Sequence, residues 1–291
     1  PFDQMPERYL EFHLRRKVPR CRVFSLGTYG YGQDQQLLAL QRYFARYRAD
    51  LVVLWLTPVN DLWNNTFPTH GLAGPGTPKP TFWMKNGKLK GPAERLGEDL
   101  NAWKVPALFR RVIMPARDER WEAVLPPPYY YEQPGGGDAD PLWQEASQEG
   151  RFAEYPATEK SHLAVLFTPR SGRMEYSIQL TRHLLGRMQE TAEEHGAKFL
   201  MIDAQHPWQL FGDSPSAAVR TVAQTWREGE KTYAYEGRSY KTSRAQYEEN
   251  LRDLTEGFPF HPVALTTADC TVNKEDMHFN DFANDIIAES I

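Results

Sequence analysis

Apolar positions change their spacing several times along the chain, and each change predicts a different element. Glu7-Arg8-Tyr9-Leu10-Glu11-Phe12 reads as a helix. Arg22-Val23-Phe24-Ser25-Leu26 is a short apolar run ending in a glycine-rich turn, which predicts a buried strand leading into a loop. From Gln35 to Arg48, Leu37, Leu38, Leu40 and Phe44 recur at helical spacing. Leu51 to Leu56 is continuously apolar and of strand length, as expected for a strand covered on both faces. Strand, helix and strand in so short a span predict a βαβ unit, with a parallel sheet and a right-handed crossover.

The rhythm breaks over about 66–160. Gly-Pro-Gly-Thr-Pro-Lys-Pro (74–80), Pro-Pro-Pro-Tyr-Tyr-Tyr (126–131) and Gly-Gly-Gly (135–137) punctuate the chain rather than build a core. We read residues 66–174 as an irregular insertion with a short helix or two around 97–112, in a single α/β domain spanning 1–291. Order resumes with an amphipathic helix, Glu175–His195, closed by Gly196 and followed by a strand at Lys198–Asp203. A second irregular region, roughly 204–243, precedes a helix at 244–255. A last strand near Pro262–Leu265 leads to a closing helix, Asp281–Ile291. No internal repeat is visible.

Composition narrows the function classes. Hydrophobic residues make up 41% and charged residues 25% of the chain, an ordinary globular balance. The net charge of −4 gives no reason to expect a nucleic-acid or anionic-membrane partner, both of which favour basic patches. No run approaches the ~18 apolar residues that span a bilayer. Cys21 and Cys270 are too few for a disulfide framework or a zinc site, and the sequence leaves their pairing open. No cofactor and no metal is expected, because no cluster has metal-ligand spacing.

Three segments carry candidate chemistry. Gly27-Thr28-Tyr29-Gly30-Tyr31-Gly32-Gln33-Asp34-Gln35 follows the first predicted strand. Asn60-Asp61 follows the second, and Asp276-Met277-His278-Phe279-Asn280 leads into the final helix. Ligands of open parallel sheets bind beyond the carboxyl ends of the strands, where all three can converge. Singly, each has a structural explanation: a tight turn, a helix start, a surface loop. The glycines also lack the spacing of a dinucleotide fingerprint, and there is no Walker lysine, which argues against a nucleotide-binding protein. Together the segments complement one another as acyl-transfer machinery. His278 is a candidate base, and Asp276 can hold its imidazole in the correct tautomer. A backbone N–H at Gly30 and the side-chain amide of Asn60 can supply oxyanion donors. Only a nucleophile is missing.

In these segments the chain resembles bacterial SGNH (GDSL-type) hydrolases. Phe24 to Asn65 is similar to the family's glycine and Asn-Asp blocks, with "G-x-x-G-x-G-x-D-Q" turn, long helix, "D-L-V-V-L" strand and "N-D". The ending from Asp276 to Ala288 is similar to its histidine block. Asp-x-His is one residue shorter than the commonest spacing, Ala283 stands where glycine is common, and Ser25 where asparagine is common. The clear match covers about 60 residues. It implies a three-layer, flavodoxin-like α/β fold and an ester hydrolase with a Ser-His-Asp mechanism. Asp276 and His278 would be catalytic, and Gly30 and Asn60 would form the oxyanion hole.

The same resemblance places the Gly-Asp-Ser block upstream of Pro1, because the opening Pro1 to Glu7 is similar to the segment that follows the serine. The chain starts without methionine or a signal-peptide pattern, and we read it as a fragment lacking its first strand. In the strand order 2-1-3-4-5 that strand is central. The fragment itself is then expected to be inactive and not a complete folding unit.

Gly212-Asp213-Ser214 also spells Gly-Asp-Ser, but it follows a poor strand and the wrong blocks. A turn capping a helix that begins near Ser216 explains it better. His13, His183 and His195 lie in helical stretches, while His206 and His261 precede prolines at strand ends with nothing to select them. Trp63, Phe82, Trp83 and Tyr129 to Tyr131 would make a sugar-stacking platform, which favours an acetylated carbohydrate ester as substrate. The rival readings are a non-catalytic ligand-binding protein and an acyltransferase on the same fold. The partner expected is a small-molecule or carbohydrate ester, with no nucleic acid. Any export signal or membrane anchor would lie upstream, and the resemblance implies an extracytoplasmic location.

Overall fold

The computed structural model describes residues 5–28, 30–66, 69–70, 77–78, 80–85, 87–93, 163–170, 172–235, 238–274 and 276–291. The chain is a mixed α/β structure built on a three-stranded parallel sheet. Helices α1 (Pro6–Lys17) and α2 (Gln33–Tyr47) precede strand β1 (Leu51–Leu56), and α3 (Pro58–Thr66) follows it. An antiparallel hairpin comes next, β2 (Thr81–Lys85) and β3 (Lys88–Ala93). After β4 (Phe167–Thr168), the long helix α4 (Gly172–Glu194) leads into β5 (Lys198–Gln205). Then come α5 (Ala217–Glu228), β6 (Glu230–Tyr235), β7 (Arg238–Ser243), α6 (Arg244–Thr255), β8 (Phe260–Ala264) and α7 (Asp281–Ser290).

The parallel sheet has the order β1-β5-β8, with Leu56 opposite Asp203 and Ala264 opposite Gln205. Strand β5 is therefore central. Its run Phe199 to Ala204 is buried on both faces apart from the half-buried Leu200, as an internal parallel strand requires. The main core gathers Leu37, Leu40 and Phe44 of α2 with Leu54 and Leu56 of β1 and Leu180, Leu184 and Leu185 of α4. These are the residues whose spacing predicts helix, strand and helix. Gly196 has φ +78°, a left-handed conformation that ends α4 and turns the chain into β5.

Several expectations require correction. Residues 22–26 are not a strand: Phe24 is 58% exposed with its ring 4.9 Å from that of Tyr47. The Val23 N–H donates to the Glu11 carboxylate at 2.9 Å instead of to a neighbouring strand. An apolar run becomes a strand only where a neighbour completes its ladder, and no described strand pairs there. The crossover of the parallel sheet is therefore made between β1 and β5, through α4.

Residues 204–243 are not irregular throughout: the helix expected from near Ser216 is α5, and it is followed by the unexpected antiparallel pair β6–β7. Within 66–174, the hairpin β2–β3 sends Phe82 and Met84 into the main core. Phe82, 5% exposed, is thus a packing residue and not part of a sugar platform. The segments around 97–112 and 129–131, and the Trp63 side chain, lie outside the described residues. Cys21 and Cys270 are both free thiols. No described helix is long and apolar enough to cross a membrane.

Candidate active site

Residues 271–274 and 276–280 form a turn whose polar residues bind one another. Thr271 bridges Phe279 in antiparallel fashion, and the Val272 N–H donates to the His278 carbonyl at 2.9 Å. Asn273 Oδ1 accepts from the Asp276 N–H at 2.9 Å. Asn280 closes the turn from the other side. Its Nδ2 donates to the Thr271 carbonyl at 3.0 Å while its Oδ1 caps α7 by accepting from the Ala283 N–H at 3.0 Å.

Within this turn Asp276 and His278 meet directly. Asp276 Oδ1 lies 2.5 Å from His278 Nδ1 and also accepts the His278 backbone N–H at 3.0 Å. These two bonds, the backbone one foremost, hold the Asp276 carboxyl below its usual pKa. A carboxylate can only accept, so the nitrogen facing Asp276, Nδ1, is the protonated one, and in the neutral imidazole the lone pair is on Nε2. The His278 side chain is 74% exposed, so that lone pair is available to an incoming hydroxyl.

Two strand ends hold the turn in place. Phe279 stacks 4.1 Å from His206, just beyond β5, at an interplanar angle of 18°. It also lies 5.9 Å from Trp55 of β1. His206 Nε2 sits 2.8 Å from the Met277 carbonyl oxygen and donates to it. Burial pushes the His206 pKa down to about 4, so this ring is neutral at pH 7.

Of the two expected oxyanion donors, Asn60 lies in the first turn of α3 and Gly30 in the turn before α2. Gly30 has φ +76°, which favours glycine, and the turn continues through Tyr31 N–H to the Thr28 carbonyl at 3.2 Å. A Cβ at Gly32 would lie 2.6 Å from Asn65 Oδ1, so that glycine permits the turn to press against α3. The Asn60 backbone N–H closes the first turn of α3 onto Thr57, and its side-chain Oδ1 is buried without a hydrogen-bond partner. No hydrogen bond among the described residues joins Gly30 or Asn60 to Asp276 or His278; the Trp55–Phe279 contact is what ties the end of β1 to the histidine turn.

Between α2, α3 and α4 lies a buried polar network. Asn65 Nδ2 donates to Gln33 Oε1 at 2.6 Å and to Thr181 Oγ1 at 2.9 Å, and its Oδ1 accepts the Asp34 N–H at 3.3 Å. Asp61 is buried and accepts the Thr57 N–H at 2.7 Å. Burial pushes its pKa up to about 7, the Thr57 N–H and the Gln33 side chain opposing this only in part. Burial likewise raises Asp203 at the end of β5 to about 6. Sequence reasoning missed Gln33, Asn65 and Asp203. The available signal was polar residues at the carboxyl ends of apolar strands and at the turn packed against them.

Ser214 is buried and committed elsewhere. Its Oγ donates to the Lys274 carbonyl at 2.9 Å and accepts the Ser216 N–H at 3.2 Å. Ser216 caps α5 by accepting from Val219. No serine among the described residues is hydrogen-bonded to His278, and no described cluster could hold a metal ion. No family model matches this chain, and neither the curated proteins nor the solved structures contain a match to it.

Proposed function

We propose that this chain carries the base, the orienting carboxylate and the oxyanion donors of an SGNH-like serine ester hydrolase, the attacking serine lying upstream of Pro1. The observation that carries the reading is the 2.5 Å contact between Asp276 Oδ1 and the Nδ1 of an exposed histidine. That pairing fixes the tautomer a general base needs and stabilises the imidazolium formed when it accepts a hydroxyl proton. The turn sits against the carboxyl ends of β1 and β5, the edge where open parallel sheets bind ligands. The order β1-β5-β8 is compatible with the last three strands of a 2-1-3-4-5 sheet, in which the nucleophile strand would lie beside β1.

Substrates are acyl esters, and transfer of the acyl group to a second hydroxyl instead of water is the same chemistry with a different acceptor. The test is hydrolysis of a simple aryl acetate by the protein including its upstream segment. The His278→Ala variant is expected to lose about 10⁶-fold in kcat with an unchanged melting temperature. Equal turnover in variant and parent would remove His278 from the mechanism. Ligand binding without turnover in the parent would favour a non-catalytic binding protein instead.

A further inference from the structure

We propose that His206 is a positioning residue for the candidate base His278, acting through the single peptide group between Met277 and His278; the inference rests on the hydrolase reading above. The carbonyl of Met277 and the N–H of His278 belong to one planar unit. His206 Nε2 donates to that carbonyl at 2.8 Å, while the N–H on the opposite side of the same plane donates to Asp276 Oδ1 at 3.0 Å. Asp276 Oδ1 in turn receives His278 Nδ1. The hydrogen bonds therefore run from the His206 ring through one peptide to Asp276 and back to the His278 ring.

Each element of this chain constrains the next. A carbonyl can only accept, so His206 must carry its proton on Nε2. With both ends held, the peptide plane cannot rotate about its flanking bonds. The carboxylate oxygen that selects the His278 tautomer is thereby kept in register with Nδ1. Donation into the carbonyl also polarises the N–H opposite it, strengthening its bond to Asp276. The His206 ring is oriented for the task by stacking on Phe279 at 4.1 Å and by a tilted contact with Trp208 at 4.7 Å. The two histidines are thus set in opposite tautomers, His206 as Nε2–H and His278 as Nδ1–H.

Long-range ¹H–¹⁵N correlation spectra of the imidazole rings, recorded on the protein with its upstream segment, test this without reference to turnover. In the parent protein His206 is expected as the neutral Nε2–H tautomer, and an Nδ1–H assignment would overturn the proposal before any variant is made. His206→Phe keeps a stacking ring and removes the donor. It should lower the Nδ1–H to Nε2–H ratio of His278 about fivefold, the worth of one ordinary hydrogen bond. His206→Gln, which retains an N–H donor, should restore most of the ratio. An unchanged His278 ratio in His206→Phe would make the residue a packing group only. A parent protein that turns over no ester, but whose His278 tautomer responds to these substitutions, would sink the hydrolase reading and support the positioning role.

Discussion

Asn65 Nδ2 lies 2.6 Å from Gln33 Oε1, a fully buried contact that ties the end of α3 to the first residue of α2. The same amide reaches Thr181 of α4, so α2, α3 and α4 share one side chain. Replacing Asn65 with Leu removes this donor and also the acceptor of the Asp34 N–H, leaving several buried groups unmatched. At ~1–3 kcal/mol for each orphaned group, a loss of about 3 kcal/mol is expected. Urea unfolding of parent and variant measures it, and a difference below about 1 kcal/mol would mean that the network is not held as described.

Asp61 should make stability depend on pH in a defined direction. Its pKa is raised from 3.8 to about 7 in the folded chain, so the folded state binds the proton more tightly than the unfolded state. The stability linked to that proton is fully present below about pH 4 and is lost as pH rises through 7. Asp61→Asn keeps an acceptor and cannot ionise. The stability of the parent minus that of the variant should fall between pH 4 and pH 8, by at most about 4 kcal/mol. Asp203 contributes in the same sense up to about pH 6, and His206 in the opposite sense as pH falls below 6.5, but both are common to the two proteins. A pH-independent difference would show that Asp61 is ionised throughout.

Asn60→Ala separates an oxyanion donor from a structural turn. The helix-start hydrogen bond is made by the Asn60 backbone and survives the substitution. A loss of about 10²- to 10³-fold in kcat, with little change in KM, is expected of an oxyanion donor. Unaltered kcat with a lower melting temperature would return Asn60 to a purely structural role.

Asp276→Asn should cost about 10⁴-fold in kcat, because an amide can present its NH₂ to Nδ1 and favour the wrong tautomer. Asp276 is partly exposed, so its effect on stability should stay near 0.5 kcal/mol. A variant as active as the parent would show that the carboxylate does not orient His278 during turnover.

Ser214→Ala is expected to do the reverse. Its hydroxyl joins the turn before α5 to Lys274, so its loss should destabilise the fold by about 1 kcal/mol and leave ester turnover unchanged. Abolished turnover in a folded variant would make the internal Gly-Asp-Ser the nucleophile.

The local pattern identified β1 to the residue, placed α2, α4, α6 and α7 within a few residues, and singled out Asp276 and His278 as neighbours in one turn. Residues two apart in one turn are close in any fold, so their proximity, though not their hydrogen bond, is legible locally. The helix expected from near Ser216 is α5, capped by that serine, and Val219, Val222, Ala223 and Trp226 repeat along it at helical spacing. The polar strands of β6 and β7 carried a weaker signal, because their pairing depends on register more than on apolar alternation.

What the amino-acid sequence determined by itself is the set of elements with strong periodicity and the chemical types at the ends of its strands; the strand partners that make the sheet parallel came from the packed chain, since residues 22–26 form no strand. Tertiary structure alone decided that Val23 donates to Glu11 and forms no strand, that Phe82 belongs to the core, and that His206 rather than His261 reaches the histidine turn. The physical reason is common to all three. Helical and strand periodicity are local properties of the backbone, whereas a ladder partner, a burial site or a hydrogen bond across 71 residues exists only after the chain has packed.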